Sequence, residues 1–250
     1  LAVRAAELRA EQAGLLGYAD HAAYKVADQT ARTVEAVEER LNGLVGPARR
    51  NVEREAAVLA EQAGHEIEPW DWAYYAEQVR KERYDFDEEA LRPYLELGRV
   101  IEDGVLHAAH LLYGITFTDR PDLHGYHPDM RVWEVFDTDG AGLGLFLLDP
   151  YARPTKQGGA WMHNLVDQSF LLGDRPVVVN NLNIAKPASG PTLMTWDEVE
   201  TAFHEFGHAL HGLLSAVRFP LVEGTSVPRD FVEYPSQVNE VWATEPAVLE

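Results

Sequence analysis

The sequence contains no cysteine among its 250 residues. This absence excludes a disulfide framework, a thiolate nucleophile and any zinc or iron–sulfur site with cysteine ligands. Basic residues are also few, with 21 lysines and arginines against 41 acidic residues and a net charge of −20. Because nucleic acids and anionic membranes attract basic proteins, we predict neither a nucleic-acid partner nor a membrane partner.

Long hydrophobic runs and targeting signals are missing as well. The longest apolar run, over 143–148, is interrupted by Gly144 and is far shorter than the ~18 residues of a membrane span. The first residues alternate charge with alanine, unlike the apolar core of a signal peptide. We therefore expect a cytoplasmic protein and favour a monomer. The helical pattern starts without a leader and stops without a tail, which indicates an excerpt from a longer chain.

The first part of the chain has a helical composition. Residues 1–113 are rich in Ala, Glu, Arg and Leu, and their apolar positions recur with a period close to 3.6. Gly43, the pair Gly46-Pro47 and the stretch from Gly64 to Pro69 predict breaks between separate helices.

The second part predicts a mixture of strands and helices. Alternating residues over 131–136 and apolar runs over 143–148 and 176–183 predict three strands. Longer amphipathic stretches predict one helix over 192–215 and another over 230–250. The predicted fold class is mainly α with a small β-sheet in the second half.

One of these helices carries the residues of a metal site. A capping box, Thr195 with Glu198 three residues later, predicts where the helix begins. His204 and His208 then lie one above the other on one face, so that both can bind a single zinc ion. Glu205 is rotated about 100° around the helix and can reach a water molecule at that ion. A metal beside a general base is what a zinc peptidase requires.

The third metal ligand is not fixed by spacing alone. The metzincin pattern requires Gly and His where this sequence has His211 and Leu214, which excludes that subclass. His211 is a rival ligand, but three ligands on one straight helix lie far apart along its axis, so we favour a supporting or surface position. Glu233 follows the loop after the helix and is either the third metal ligand or an ordinary surface acid. Gln237, one turn later, is a candidate supporting partner, and a plain surface residue is an equal alternative.

Two segments carry a family resemblance. HEFGHALHGLLS at 204–215 and EGTSVPRDFVEYPSQVNEVWAT at 223–244 resemble the thimet oligopeptidase family of zinc peptidases, most closely its bacterial peptidyl-dipeptidase branch. The resemblance extends more faintly over most of the chain. It implies that His204, His208 and Glu233 bind one zinc ion per chain and that Glu205 is the general base.

The resemblance also implies a substrate-binding strand and a domain arrangement. Gly158-Gly159-Ala160-Trp161 resembles the edge strand of the family, where small residues let a peptide backbone approach and pair. The implied fold is a zincin-like (gluzincin) catalytic core within a larger helical peptidase. Residues 1–117 would line its channel, and residues 118–250 would form the zinc-binding catalytic region.

Two departures from the family pattern stand out. Family members are much longer, so the C-terminal part of the catalytic domain, which supplies Tyr and His groups for substrate, is expected to be missing. The loop before the third ligand has Glu223 where related sequences usually have Ser, which places an extra acid near the site.

The resemblance implies zinc-dependent hydrolysis of short peptides with release of C-terminal dipeptides. One alternative is an endo-acting oligopeptidase of the same family. Another is a non-catalytic, zinc-stabilised peptide-binding module, although a purely structural zinc site has no need for Glu205.

Overall fold

A computed structural model describes residues 1–84 and 88–249. Contacts between Cα atoms divide the chain into two units, Leu1–Asp87 and Glu88–Glu250. Residues 88–117 therefore pack with the second unit. The boundary between the two compact units precedes the boundary expected at 117/118 between the channel-lining and zinc-binding regions. Among the described helices, none is long and apolar enough to cross a membrane.

The first unit consists of helices. They are α1 (Ala2–Leu15), α2 (His21–Val26), α3 (Val34–Ala63) and α4 (Trp72–Tyr84). The side chains of Asp20 and Thr33 cap α2 and α3 by accepting hydrogen bonds from backbone amides of the first turn, as short polar residues do at helix starts. Within this unit α3 packs against α4.

The predicted helix breaks at Gly43 and Gly46-Pro47 are wrong. Helix α3 runs through all three residues and ends only at Gly64, which has a φ of 73°. A proline in a helix removes one hydrogen bond and costs about 3 kcal/mol. In a helix of 30 residues, the remaining hydrogen bonds and the packing on α4 outweigh that cost.

The second unit holds the remaining helices. They are α5 (Glu88–Leu91), α6 (Leu97–Arg99), α7 (His107–Tyr113), α8 (Trp196–Leu213), α9 (Glu233–Glu240) and α10 (Pro246–Leu249). A π-helical segment, Val100–Leu106, joins α6 to α7. The helix predicted over 192–215 is confirmed as α8. The helix predicted over 230–250 is instead divided into α9, a 3₁₀ turn at Val241–Thr244 and the short α10.

A five-stranded mixed sheet lies in the same unit. Its strands are β1 (Thr116–Asp119), β2 (Arg131–Phe136), β3 (Gly142–Tyr151), β4 (Trp161–Val166) and β5 (Val177–Ile184). Their order is β1-β2-β3-β5-β4, with β3 and β5 parallel and the other neighbours antiparallel. The three strands predicted from composition are confirmed as β2, β3 and β5. Strand β1 has only four residues in a stretch rich in turn formers and was not predicted.

The core of the second unit lies between α8 and the sheet. Phe203, Phe206 and Leu213 of α8 are almost fully buried, and Phe206 packs edge-to-face on Phe146 of β3 with ring centroids 4.9 Å apart. Burying each of these side chains stabilises the fold by about 1.5–3 kcal/mol. Because the apolar stripe of α8 faces the sheet, the rotation of the helix about its axis is fixed, and so is the direction of its polar residues.

Candidate metal centre

Helix α8 begins where the sequence predicts. The Thr195 hydroxyl accepts a hydrogen bond from the Glu198 amide at 3.2 Å, and the Glu198 carboxylate accepts one from the Thr195 amide at 2.8 Å. This reciprocal capping box fixes the first turn. His204 and His208 then lie one turn apart, and their ring centroids are 5.0 Å apart.

Glu233, the first residue of α9, meets both histidines. Its Oε2 atom lies 3.2 Å from Nε2 of His204 and 3.0 Å from Nε2 of His208. One ligand atom from each residue falls within 4.8 Å of the other two, and no other such group of potential ligands occurs in the part of the chain that the structure describes. Two imidazole nitrogens and one carboxylate oxygen that converge in this way suit a zinc ion.

Gly207 lets α9 approach α8 closely enough for Glu233 to reach both histidines. A Cβ atom on Gly207 would lie 2.6 Å from Cα of Ser236 and 2.8 Å from Cβ of Asn239. Asn239 donates a hydrogen bond to the carbonyl oxygen of Phe203 at 2.6 Å. Ser236 donates to the Glu233 carbonyl oxygen at 2.8 Å. These contacts hold the start of α9, and with it Glu233, against the face of α8 that carries the histidines.

Glu205 is a buried acid beside the three candidate ligands. It is only 6% exposed, and its Oε2 atom has no hydrogen-bond partner among the described residues. Burial, aided by the negative charge of Glu233, raises the pKa of Glu205 to about 7. A carboxyl group with a pKa near neutrality can both accept and release a proton at physiological pH. Burial also lowers the pKa of His208, which favours the neutral imidazole that binds metals.

A cavity of about 340 Å³ opens in front of these residues. It brings the metal cluster and Glu205 together with β4 and with the loop that precedes α9. The residues that line it are Ala160, Trp161, Met162, His204, Glu205, His208, Thr225, Val232 and Glu233. Two of the four residues predicted to bind substrate, Ala160 and Trp161, are in this lining.

Strand β4 lies at the edge of the sheet. It pairs with β5 on one side, and in the described residues no strand pairs with its other side. The strand begins at Trp161, so that Gly158 and Gly159 lie in the loop before it. Asn183 of β5 holds this loop by donating to the carbonyl oxygens of Gln157 at 2.7 Å and Gly159 at 2.5 Å.

The two candidate supporting residues, His211 and Gln237, do not line the cavity of the metal cluster. His211 is partly buried and lines a separate cavity of about 520 Å³. Burial lowers the pKa of His211, and its Nδ1 atom is buried without a partner in the described structure. Gln237 is exposed on α9.

The supporting contact that the structure shows comes from Glu240, which the sequence analysis missed. Its Oε1 atom lies 2.5 Å from Nδ1 of His204. Glu240 follows Glu233 by two helical turns and therefore lies on the same face of α9. This spacing could have identified Glu240 once Glu233 was taken as a ligand.

Comparison with known proteins identifies the family to which the chain is similar. The profile of Peptidase family M3 matches residues 2–250. The dipeptidyl carboxypeptidases of Salmonella typhimurium and Escherichia coli are each 51% identical to the chain, over 99% and 98% of its length. Oligopeptidase A of Escherichia coli is 40% identical over 97% of the chain.

The matched region includes both helices of the metal centre, α8 and α9. The chain spans 37% of the length of each of these three relatives. The family expected from the motifs at 204–215 and 223–244 is confirmed, because both the profile and the relatives cover nearly the whole chain. The chain therefore belongs to peptidase family M3.

Proposed function

We propose that this chain is the zinc-binding part of a metallopeptidase that hydrolyses short peptides. The observation that carries the proposal is the convergence of His204, His208 and Glu233 on one point, with Glu205 lining the same cavity. Three protein ligands of this kind are typical of catalytic zinc sites, in which a fourth position stays available for water or substrate. A closed structural site would not require a buried carboxyl group at its margin.

The three ligands would hold one zinc ion per chain. The absence of cysteine leaves only nitrogen and oxygen ligands, which also accept cobalt or manganese. Zinc at this position supplies a Lewis acid that polarises a peptide carbonyl and acidifies a water molecule.

Glu205 is proposed as the group that moves the proton. As the water oxygen bonds to the carbonyl carbon, a carboxylate oxygen of Glu205 takes the proton from that water. When the C–N bond breaks, Glu205 gives the proton to the leaving amine nitrogen, which ends the cycle with a carboxylate again. The burial of Glu205 keeps bulk water from competing for this proton.

The unpaired edge of β4 is proposed to bind the peptide backbone. An extended peptide can add to a free strand edge through main-chain hydrogen bonds. Gly158 and Gly159, just before the strand, have no side chains to obstruct it, and Ala160 and Trp161 line the cavity beside the metal cluster. This arrangement supports a zincin-like (gluzincin) core within residues 118–250. For residues 1–117 we propose a channel-lining position in the longer protein.

We propose release of C-terminal dipeptides as the specific activity. The two relatives named dipeptidyl carboxypeptidase are 51% identical to the chain. A second candidate is endo-acting cleavage of oligopeptides, which is favoured by the 40% identity to a relative named oligopeptidase A.

Replacement of Glu205 tests the chemistry. Glu205→Gln keeps the size of the side chain but cannot accept the proton, so we expect kcat to fall by about 10²- to 10⁴-fold while bound zinc, measured by atomic absorption, stays at one per chain. Undiminished cleavage with zinc bound would remove Glu205 from the mechanism. Because the chain spans 37% of the length of these relatives, zinc binding without cleavage of any peptide by the unmodified chain would indicate that turnover needs residues outside it.

A pair of matched peptides tests the specificity. Mass spectrometry of the products from one oligopeptide and from its C-terminally amidated form compares recognition of the free carboxylate. We expect dipeptide release from the free peptide and much slower cleavage of the amide. Equal cleavage of both would contradict the dipeptidase assignment and support the endo-acting alternative.

A further inference from the structure

Glu223 is a buried acid outside the metal cluster. It lies in the loop between α8 and α9, and only 1% of its surface is exposed. Its Oε1 atom accepts a hydrogen bond from the side-chain amide of Asn164 at 2.5 Å. Its Oε2 atom is buried and has no hydrogen-bond donor among the described residues. A buried carboxylate oxygen without a donor is costly, and a proton on the carboxyl group removes that cost.

The charged neighbour of Glu223 is another acid. Asp167 directly follows strand β4, and its exposed carboxylate interacts with Glu223. Two carboxyl groups can share a hydrogen bond only when one of them is protonated. Burial and the negative charge of Asp167 raise the pKa of Glu223 to about 7, against the opposing effect of Asn164. Glu223, as the buried partner, is the one that keeps the proton.

Other titratable groups lie on the elements around Glu223. Those on β4, α8 and the loop before Glu223 are His163, Asp197, Glu198, Glu200, His204, Glu205, His208, His211 and Arg218. The charged group that shifts the pKa of Glu223 is Asp167, which follows β4.

The contacts of Glu223 join two walls of the candidate substrate cavity. Asn164 belongs to β4, whose Met162 lines the cavity, and Thr225 lines it from the loop. The loop, the end of α8 and β4 are in close contact: a Cβ atom on Gly224 would lie 2.9 Å from Cα of Gly212. A Cβ atom on Gly212 would in turn lie 2.8 Å from the Asn164 side-chain oxygen. A displacement of the Glu223 side chain therefore affects the positions of both walls of the cavity.

We propose that Glu223 is a positioning residue that, in its protonated form, donates to Asp167 and accepts from Asn164, and so fastens the 223–225 loop to strand β4. When the proton leaves, the carboxylate repels Asp167 and loses that hydrogen bond, and the two walls are released from each other. That this contact sets the shape of a peptide-binding cleft rests on the proposed function; the contact itself does not.

The pH dependence of unfolding tests the proposal. The pKa of Glu223 is about 7 in the folded protein and about 4.5 in the unfolded chain, so the contribution of this group to stability is largest in acid and is lost as pH rises through about 7. From about pH 6 to about pH 8 the unfolding equilibrium constant of the unmodified chain is expected to increase about tenfold from this group alone. Glu223→Gln keeps a donor for Asp167 and an acceptor for Asn164 without titrating, and is expected to remove that increment.

A matched control separates the titration of Glu223 from the titration of other groups. Glu200→Gln changes an exposed acid on α8 and is expected to follow the unmodified chain at every pH, with metal content held equal. All three proteins share every titratable group except the two substituted acids, so the difference between variants isolates Glu223. Identical pH dependence of Glu223→Gln and the unmodified chain would overturn the proposal.

Hydrogen exchange shows whether the effect is local. Between about pH 6 and about pH 8, and after correction for intrinsic rates, we expect amide protection in both 161–166 and 223–225 to fall in the unmodified chain. We expect no such fall in Glu223→Gln. A change confined to one segment, or in neither, would contradict a contact that joins them. Neither measurement uses peptide cleavage, so failure here and failure of the Glu205→Gln test remain distinguishable.

Discussion

Nδ1 of His204 lies 2.5 Å from a carboxylate oxygen of Glu240, on the opposite side of the ring from Glu233. An imidazole that donates its Nδ1–H to a carboxylate is held in one tautomer and one orientation, with the lone pair of Nε2 directed toward the metal position. His208 has no equivalent partner, because its Nδ1 atom is buried without a hydrogen bond among the described residues. The two histidines therefore differ at Nδ1, where His204 has a charged partner and His208 has none among the described residues.

Removal of the Glu240 charge is expected to weaken zinc binding. Loss of a carboxylate that supports a metal-binding histidine typically costs 10- to 100-fold in affinity. We expect Glu240→Ala to show about this loss and Glu240→Gln a smaller one, in competition titrations with a chelating dye. Glu245→Gln, an exposed acid shortly after α9, is the control and is expected to bind zinc normally. Unchanged affinity in Glu240→Ala would show that the contact does not orient His204.

Gly207→Ala is expected to separate α9 from α8. The added methyl group would lie 2.6 Å from a backbone atom of Ser236, which cannot move away as a flexible side chain could. Overpacking of this kind typically costs about 1–3 kcal/mol. Because Glu233 moves with α9, zinc affinity is expected to fall together with stability in denaturant titrations.

Gly104→Ala is the matched control for this substitution. A Cβ atom there would meet Cζ of Phe203 at 3.7 Å, an ordinary van der Waals contact in a helical segment. We expect it to leave zinc affinity unchanged. If Gly207→Ala were equally harmless, the close approach of the two helices would not be needed for the site.

The parts of this site that could be predicted are those whose signals are local in sequence. The capping box at Thr195, the apolar stripe and the two histidines lie within one helix, so spacing alone fixes their relation. The resemblance then supplied Glu233, which spacing had left open between a ligand and a surface acid.

Non-local relations could not be predicted in the same way. The parallel pairing of β3 with β5 depends on which strands meet in space, and only the resemblance implied that the segment at β4 is an edge strand. The partner of His204 depends on how α9 folds back against α8, and Gly207 makes that approach possible. Local breaker signals such as Pro47 were misleading because the surrounding helix compensates for a single lost hydrogen bond.

Added zinc is expected to stabilise the second unit, because its ligands come from two helices. A ligand that binds only the folded state at 100 times its Kd contributes about 2.7 kcal/mol. We expect this gain in thermal unfolding of the unmodified chain, its loss in His208→Ala, and its retention in Gln237→Ala, which changes an exposed residue of α9. Loss of the gain in Gln237→Ala would mean that Gln237 supports the ligands after all.

Asp149 is expected to control stability in acid. It is fully buried and accepts hydrogen bonds from both terminal nitrogens of Arg153, each at 2.8 Å. Nζ of Lys156 lies 3.1 Å from its Oδ1 atom. These contacts shape the loop that leads to β4. Burial acts to raise the pKa of Asp149, but the hydrogen bonds from Arg153 and Lys156 outweigh it and hold the pKa below its usual value.

Because the pKa of Asp149 is lower in the folded protein, the stability it contributes is present above the unfolded value of about 3.8 and is lost as pH falls through the folded value. At neutral pH, Asp149→Asn leaves Lys156 buried without its counter-charge, and we expect a loss of about 3–5 kcal/mol in urea unfolding. The surface pair Arg120–Asp122 is the control, since Asp122 is 61% exposed and Asp122→Asn is expected to change little. As pH falls through the folded pKa of Asp149, the stabilities of the unmodified chain and Asp149→Asn are expected to approach each other, because both then carry a neutral group at this position. A stability difference that stayed constant throughout the acid range would show that Asp149 acts through packing and not through its charge.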